Sequence, residues 1–374
     1  MPDTAVIFGG PSPEHDVSVL TGLQAAHELQ RAGHDVQALY WSKSAEWFAL
    51  HASMEATAFI DGIPKGAQPM RFVLGADGGF VAEGGRFSKD KAAQFGAAVV
   101  CCHGGPGEDG TLQAALNGAG IAYTGPGVAA AALGLDKLAF GGVMTAAGIP
   151  TLRRTDLCAS TEEIGFDGPY IVKPRFGGSS IGIEVVEDLA TARALLNSSV
   201  HLRDGAVVEP YRPDLFDVQI AVRRWPDTQT SAIERPLRAS GRPGRKEGEI
   251  LGYTDKYVGG EGMASAPREL PASLPEDVAE RVRQLARRIA DLVLVRGVAR
   301  LDFLTDGQEL VVNEINTIPG SLARYLWIEP EVPFATLLTD MIAEATARPT
   351  AHYNAAGADG LVLRGASSIA AKLA

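Results

Sequence analysis

Residues 300–320 read RLDFLTDGQELVVNEINTIPG, and this stretch places one cation, two spaced carboxylates and an amide beside two strand-forming runs. The runs, VARLDFL and ELVVNEIN, are rich in the apolar and β-branched side chains that are typical of buried strands. Thr305-Asp306-Gly307 between them has the composition of a turn. We therefore predict a β-hairpin with polar side chains on both strands. These side chains are Arg300, Asp302, Glu314 and Asn316.

The register of this hairpin decides whether its charges share one face. Residues two apart on a strand point to the same side, so Arg300 shares a face with Asp302. A two-residue loop would turn Glu314 to the opposite face, whereas a three-residue loop ending in Gly307 would keep it on the same face, roughly 13 Å too far along the strand. We therefore predict a wider loop or a β-bulge that sets Asp302 opposite Glu314. The alternative is a hairpin at a sheet edge whose charges face solvent.

The composition is that of a globular protein with enough length for two or three domains. The chain has 374 residues, 46% of them hydrophobic and 21% charged, and a net charge of -11 that disfavours nucleic-acid binding. No apolar run approaches the roughly 18 residues of a membrane span, and the first residues do not resemble a signal peptide, so we expect a cytoplasmic protein. The three cysteines fit neither a disulfide framework nor a zinc site, and we expect them to be small buried side chains.

Two strand-to-helix units near the N-terminus each place a titratable side chain in the loop that follows a strand. Residues 4–9 read as a buried strand, Glu14 follows in the loop, and a helix is predicted from about residue 17 to 32. Further on, an apolar strand runs to His103 and a helix begins near Thr111. Ligands of open α/β folds bind at such loops. Taken alone, however, an acid there more often interacts with the helix dipole, and a lone histidine is more often structural.

Two segments have the composition of phosphate-binding elements. Residues 125–151 form a helical stretch with Lys137 in its middle. Residues 169–186 predict two strands joined by a loop of small residues, with Lys173 at the end of the first strand. Backbone N–H groups in such a loop suit phosphate oxygens, although a flexible glycine hairpin is the alternative and the Walker pattern is absent.

The last third of the chain predicts a long loop and two helices besides the hairpin. Residues 239–267 are rich in glycine and lack periodicity, which is typical of a lid, and residues 253–257 (YTDKY) are the part that we expect to order over a ligand. Helices are predicted over residues 275–295 and 331–347.

Several segments, taken in order, resemble the D-alanine-D-alanine ligases of the ATP-grasp superfamily over about residues 4 to 347. They are GGPSPEHDVS, HGGPGEDGTLQ, AYTGPGVAAAALGLDK, YIVKPRFGGSSIG, VVEPY, YTDKY, RLDF and NEINTIPG. The resemblance implies an α/β ATP-grasp fold of three domains. These are an N-terminal parallel α/β substrate domain (1–125), a central lid domain (126–209) and a C-terminal catalytic domain (210–374), the last two α+β domains enclosing ATP between them.

The resemblance also implies an activity and its cofactors. A ligase of this family joins two amino acids through an acyl phosphate and releases ADP and phosphate, using ATP with two Mg²⁺ ions that Mn²⁺ can replace. The expected partners are small amino acids and, as a homodimer, a second copy of the chain, with no nucleic acid and no membrane. The implied pathway is peptidoglycan synthesis for the cell wall.

Individual residues carry roles by this resemblance. The ATP-binding candidates are Lys137, Lys173 and Ser180 at the phosphates, Glu209 and Tyr211 at adenine, Asp217 at the ribose and Lys256 in the lid. The expected Mg²⁺ ligands are Asp302, Glu314 and Asn316. The candidates for the first substrate and the oxyanion are Glu14, Ser179, Tyr257, Arg300 and Gly320. Further substrate-binding candidates are His103, Tyr325 and Leu326.

One departure from the family bears on the second substrate. Five residues after Gly320, where the family has a small hydroxyl residue that binds the acceptor carboxylate, this chain has Tyr325. The alternative function is therefore a ligase of the same mechanism that joins another pair of amino or hydroxy acids. A nucleotide-binding regulatory protein would not need Arg300 at an oxyanion, and the missing GxGxxG disfavours a nicotinamide oxidoreductase.

Overall fold

The computed structural model describes residues 3–75, 78–84, 90–237, 267–350, 355–366 and 368–373. Within these ranges three β-sheets are each covered by helices, and each sheet has its own buried apolar core. The predicted lid segment, with Lys256 and Tyr257, lies outside the described residues.

The first sheet has seven strands and is parallel only at one end. Its strands are β1 (Thr4–Gly9), β2 (Val36–Trp41), β3 (Trp47–Leu50), β4 (Gln68–Val73), β5 (Gly79–Ala82), β6 (Lys91–Ala92) and β7 (Ala97–Val100), in the order β6-β5-β4-β3-β2-β1-β7. Strands β2, β1 and β7 run parallel, and the others pair antiparallel. Helices α1 (His15–Arg31) and α2 (Thr111–Gly118) follow β1 and β7, as predicted.

The predicted helical stretch over residues 125–151 is two helices, α3 (Val128–Leu135) and α4 (Lys137–Ala146). Asp136 between them has a non-helical backbone, with ψ of 98°, and its carboxylate caps α4 by accepting hydrogen bonds from two backbone N–H groups. Lys137 is therefore the first residue of a helix, and the prediction that it lies mid-helix is wrong. The apolar run hid this break because an aspartate is tolerated inside a helical pattern.

The second sheet has four antiparallel strands and carries the predicted phosphate loop. Its strands are β8 (Thr155–Leu157), β9 (Tyr170–Pro174), β10 (Glu184–Val186) and β11 (Ala206–Pro210), in the order β10-β9-β11-β8. Helix α5 (Leu189–Ser198) packs against it through Ala192. Lys173 lies near the end of β9, as predicted, and the small-residue loop connects β9 to β10.

The third sheet contains the hairpin. Its strands are β12 (Phe216–Arg223), β13 (Gln229–Pro236), β14 (Arg268–Glu269), β15 (Val298–Thr305) and β16 (Leu310–Asn316), in the order β14-β13-β12-β15-β16. Helix α6 (Glu276–Leu292) buries Val282, Ala286 and Ile289 against this sheet, while its arginines lie on the outer face.

Packing links parts of the chain that are far apart in sequence. Helix α7 (Phe334–Ala347) buries Leu337 and Met341 in the core of the first sheet. Phe140 and Met144 of α4 belong to the core of the third sheet. The C-terminal end of the described chain forms two short helices, α8 (Leu361–Arg364) and α9 (Ile369–Leu373).

The cysteines divide into two environments. Cys101 and Cys102 are fully buried behind β7, as predicted, but Cys158 is exposed, so the expectation that all three are buried is wrong. In the described ranges no single helix is both long and apolar enough to cross a bilayer, and only α3 with α4, which meet at 100°, would pass on length and composition.

Candidate active site

The hairpin register brings its polar side chains together. Thr305 pairs with Leu310, so the loop is wider than three residues, and Asn313 is an extra residue in β16 that shifts the register. Asp302 therefore lies opposite Glu314, as predicted. Arg300 and Asp302 are 7% and 5% exposed, which rules out a hairpin whose charges face solvent.

Asp302 is the centre of a hydrogen-bonded group on the face of this sheet. Arg300 binds its carboxylate with two hydrogen bonds, Nε to Oδ1 at 2.7 Å and Nη2 to Oδ2 at 2.9 Å. The side-chain amide of Asn316 lies 3.4 Å from Oδ2, and that of Gln219 lies 3.3 Å from the same oxygen. Charge-assisted bidentate contacts of this kind fix the orientation of both partners.

The predicted metal ligands offer oxygen donors from the two strands of the hairpin. Within the part of the chain that the structure describes, no three acidic, histidine or cysteine side chains are grouped to hold a metal by themselves. Asp302 and Glu314 instead supply two carboxylates from facing positions, with the Asn316 amide beside them. Mg²⁺ is commonly held by one or two carboxylates together with substrate phosphates, so this oxygen donor set fits Mg²⁺ only when phosphates complete it.

One cleft of about 230 Å³ joins the three sheets at this point. It is lined by most of the residues that the sequence singled out. They are Glu14, His103, Lys137, Lys173, Ser179, Ser180, Glu209, Tyr211, Asp217, Arg300, Asp302, Glu314, Asn316 and Gly320.

A fully paired carboxylate holds one of the two lysines. Glu209 has no exposed surface, and its two oxygens accept hydrogen bonds of 2.6 Å from Lys173 Nζ and from Arg154 Nε. Burial alone would raise the pKa of Glu209, but the two cations lower it to about 2. Arg154 also donates to the backbone carbonyls of Lys137 and Asn313. It thus ties the two lysine-bearing elements to the hairpin.

The other lysine, Lys137, hydrogen-bonds to the predicted phosphate-binding loop after β9. Lys137 Nζ donates to the carbonyl of Gly177, and Lys137 N donates to the carbonyl of Arg175. Burial lowers the pKa of Lys137, an effect that the charge of Glu314 opposes. Arg175 in turn binds both oxygens of Asp136, at 2.8 and 2.6 Å. The start of α4 and the loop after β9 are therefore held as one unit.

Glu14 and Ser179, 165 positions apart in sequence, meet in the cleft. Ser179 Oγ donates to Glu14 Oε1. The carboxylate lies between Gly104 and Gly178, where an added Cβ would come within 2.5 and 2.8 Å of Glu14 Oε2. Only glycine leaves room for the acid at these two positions.

Three side chains of the first sheet's loops and helices clamp the segment that leads to Gly320. Ser321 N–H donates to Thr21 Oγ1 at 3.0 Å, Thr21 lies 2.9 Å from His103 Nε2, and His103 Nδ1 lies 2.7 Å from the Ile318 carbonyl. Since a carbonyl can only accept, Nδ1 carries the proton and Nε2 accepts from the Thr21 hydroxyl. Glu108 Oε1 accepts from Ile318 N–H at 3.1 Å. We call these residues, Thr21, His103 and Glu108, the Gly320 clamp.

The Gly320 clamp holds a segment whose backbone is strained. Three consecutive residues after Gly320, from Ser321 to Ala323, have φ of about 50°, a conformation that non-glycine residues rarely adopt. Burial lowers the pKa of His103 to about 4, which keeps the imidazole neutral. Burial, helped by the charge of Glu14, raises the pKa of Glu108 to about 7.

Comparison with known proteins agrees with this geometry. The family model of the D-ala D-ala ligase N-terminus matches residues 3–126, and that of the D-ala D-ala ligase C-terminus matches residues 130–343. This chain belongs to the D-alanine-D-alanine ligase family.

Curated relatives of that family cover nearly the whole chain. A D-alanine--D-alanine ligase of Mycobacterium sp. (strain KMS) is 32% identical over 364 residues, which is 92% of this chain and 96% of that protein. One from Chlorobaculum tepidum is 31% identical and covers 84% of this chain and 88% of that protein.

Solved structures share the fold. The D-alanine-D-alanine ligase from Coxiella burnetii superposes with a TM-score of 0.75 at 22% identity, covering 93% of this chain and 94% of that chain. The VanG D-Ala:D-Ser ligase from Enterococcus faecalis gives 0.72 at 23% identity, covering 92% and 99%. The ATP-grasp fold class is therefore confirmed.

The position at which this chain departs from the family's motif does not lie on the cleft wall. Among the described residues, neither Tyr325 nor Leu326 lines the cleft, and Leu326 is fully buried in the core of the first sheet. The Arg268 guanidinium lies 4.8 Å from the centre of the Tyr325 ring and does line the cleft, together with Glu234. The roles of Tyr325 and Leu326 in substrate binding stay predictions.

The roles of the adenine and ribose candidates also stay predictions. Two of the groups concerned already have hydrogen-bond partners within the chain. Tyr211 N–H already donates to the Pro169 carbonyl at 2.9 Å, and the Glu209 carboxylate is paired as described above. Asp217 lines the same end of the cleft.

Sequence reasoning missed two residues that line the cleft, Glu108 and Glu234, and two that hydrogen-bond to cleft residues, Arg154 to Glu209 and Thr21 to His103. Glu108 stands inside a quoted family segment, HGGPGEDGTLQ, which could have singled it out. Arg154 and Glu234 stand in segments without any motif, and nothing in the sequence separates them from surface charges.

Proposed function

We propose that this chain is an ATP-dependent D-alanine-D-alanine ligase that uses ATP and Mg²⁺. The observation that carries this proposal is a single cleft lined by two buried lysines, Lys137 and Lys173, and also by Asp302, Glu314, Arg300 and Gly320. The curated relatives support D-alanine over another amino or hydroxy acid pair.

The first half-reaction requires a carboxylate of one D-alanine to attack the γ-phosphorus of ATP, and two anions must approach each other. Lys137 and Lys173 would hold the phosphates, and Asp302, Glu314 and Asn316 would hold Mg²⁺, which supplies charge screening when bound. Glu14, seated between two glycines, would bind the ammonium of the first substrate, with Ser179 beside it.

In the second half-reaction an amine attacks the acyl phosphate and negative charge builds on the former carboxylate oxygen. Arg300, which is bound by Asp302, and the N–H of Gly320, which lies between the two clamped residues Ile318 and Ser321, would stabilise that charge. Preorganised donors of this kind contribute about 3 kcal/mol each when well aimed. The C–N bond forms, the C–O bond to phosphate breaks, the nitrogen gives up a proton, and phosphate and the dipeptide are released.

Phosphate release in the presence of ATP and Mg²⁺, measured over a panel of D- and L-amino acids and hydroxy acids, tests this function. Turnover with D-alanine alone, with D-alanyl-D-alanine as product, is the expected result. Turnover only with a different pair would replace D-alanine in the proposal. No turnover with any pair would overturn it.

We also propose the three domains at 1–125, 126–209 and 210–374, a cytoplasmic location and a homodimer. The three sheets and the family resemblance support the domains, and the resemblance alone supports the location and the dimer. Sedimentation of the purified chain tests the dimer, and a single species with the mass of one chain would contradict it.

A further inference from the structure

Buried carboxylates in this cleft differ in how completely they are paired. Glu234 is only 3% exposed, and its Oε1 accepts a hydrogen bond from Arg268 at 2.9 Å. Its other oxygen, Oε2, is buried and has no hydrogen-bond partner among the described residues. An unpaired buried carboxylate oxygen costs free energy, so such a group in a native protein calls for an explanation such as a bound ligand.

The position of Glu234 indicates which ligand this is. On the third sheet Glu234 pairs with Gln219, Gln219 with Asp302, and Asp302 with Glu314, so these side chains form one row across four strands. Glu234 stands at the far end of the row from the predicted phosphate site, and it lines the same cleft as Arg300 and Gly320. A molecule at Glu234 would therefore approach the proposed oxyanion site from the side opposite ATP.

Arg268 complements this acid. Its side chain is 13% exposed, lines the cleft beside Glu234, and rests on the ring of Tyr325 at 4.8 Å. A guanidinium suits a planar carboxylate, and stacking on an aromatic ring limits its freedom to move. The tyrosine hydroxyl is buried without a hydrogen-bond partner in the described part of the chain, so the ring, rather than the hydroxyl, is what touches Arg268.

We propose that Glu234 and Arg268 form the subsite for the second substrate, an α-amino acid, with Glu234 Oε2 accepting from its ammonium and Arg268 binding its carboxylate. Tyr325 is then a positioning residue that supports Arg268 from beneath. A hydroxy acid offers Glu234 Oε2 a neutral hydroxyl donor in place of the ammonium, and the charge-assisted bond is the stronger of the two, so the subsite favours amino acids over hydroxy acids of the same size. This inference rests on the proposed ligase function.

Glu234→Gln is the main test, since it keeps the shape and removes the charge. We expect the KM for the acceptor to rise roughly ten- to a hundred-fold, the loss typical of a charge-assisted hydrogen bond. The preference for D-alanine over D-lactate as acceptor should fall by a similar factor. Glu269→Gln is the matched control, because Glu269 follows Arg268 on β14, pairs with Arg235 only at 4.0 Å, and does not line the cleft. That control should leave both quantities unchanged.

Hydroxylamine separates this inference from the proposed function. It is uncharged at neutral pH, has no carboxylate and traps the acyl phosphate as a hydroxamate, so it does not need the subsite. Glu234→Gln should lose far more dipeptide formation than hydroxamate formation. Equal losses of both, or an unchanged acceptor KM and acceptor preference, would overturn the subsite. If the wild-type protein makes neither product from D-alanine, the proposed function fails and the subsite with it.

The role of Tyr325 has its own pair of variants. Tyr325→Phe keeps the ring beneath Arg268, whereas Tyr325→Ser removes it. We expect the acceptor KM to rise much more in the serine variant than in the phenylalanine variant. Equal rises in the two variants would show that the hydroxyl, and not the ring, acts on the acceptor, which contradicts the positioning role.

Discussion

Glu209 and Glu234 are both buried acids on the wall of one cleft, yet their surroundings differ. Glu209 has a cation on each oxygen, from Lys173 and Arg154, and its pKa is lowered to about 2. Glu234 has one cation, Arg268, and an unpaired second oxygen, and burial raises its pKa. A carboxylate whose two oxygens are both paired within the protein holds the surrounding elements together and has no oxygen left for a ligand. A carboxylate with one unpaired oxygen can still bind a substrate group.

Asp302, which lies in the same cross-strand row as Glu234, gives the largest expected effect. Asp302→Asn removes a predicted Mg²⁺ ligand and breaks the ion pair that orients Arg300. We expect Mg²⁺-dependent turnover to fall by on the order of a thousand-fold or more, with the folded state retained. Steady-state phosphate release with circular dichroism as a folding check measures this. Near-normal turnover would show that Asp302 is not a ligand.

Removing one of the two cations that pair with Glu209 should lower the free energy of unfolding. Arg154→Met leaves Glu209 buried with one partner, and we expect the free energy of unfolding to fall by about 3 to 5 kcal/mol. Urea denaturation measures it. The control is Arg283→Met, since Arg283 is more exposed and its two ion pairs, with Glu276 and Glu280, are both as long as 3.5 Å, so a loss below about 1 kcal/mol is expected. Adding Glu209→Gln to Arg154→Met should recover part of the loss, and no recovery would contradict the ion-pair explanation.

The neutral histidine of the Gly320 clamp links stability to pH. The pKa of His103 is about 4 in the folded chain and about 6.5 as the ordinary value, so between these values the unfolded chain binds a proton that the folded chain does not. The stability that neutral His103 contributes above pH 6.5 is therefore lost as pH falls toward 4, by on the order of 3 kcal/mol, whereas Glu108, whose pKa is raised to about 7, contributes with the opposite sign. His103→Asn, which cannot titrate, should remove the His103 contribution, so the difference in unfolding free energy between the two proteins should change over this range. Parallel pH profiles for both proteins would contradict the assignment.

The clamp hydroxyl gives the smallest effect. Thr21→Val removes one hydroxyl that bonds Ser321 N–H and His103, and we expect kcat to fall about ten-fold with little change in the KM for ATP, because the Gly320 amide loses its support. Thr124→Val is the matched control, since Thr124 is equally buried but bonds Val100 N–H away from the cleft. Equal kcat values in the two variants would show that the clamp does not act on catalysis.

Much of the fold could be predicted from local patterns. The strands at 4–9 and in the hairpin, the helices α1, α2, α6 and α7, and the register of Asp302 opposite Glu314 follow from periodicity, turn residues and the two-residue repeat of a strand. The family's motifs added the lysines, Glu14 and Ser179, which the structure brings to one cleft. The break at Asp136 and the exposure of Cys158 were missed, because a short range of sequence does not show what packs over it.

The sequence by itself determined which chemical groups are available and in what order, because motif spacing and strand alternation are properties of the covalent chain. Only the tertiary structure decided how those groups are paired. Arg154 reaches Glu209 across 55 positions, and Glu108 reaches Ile318 across 210, so no local pattern could reveal either contact. The same holds around Glu234: the contact of Arg268 with the ring of Tyr325, a predicted substrate-binding residue, and the unpaired oxygen of Glu234 are visible only once their neighbours are in place.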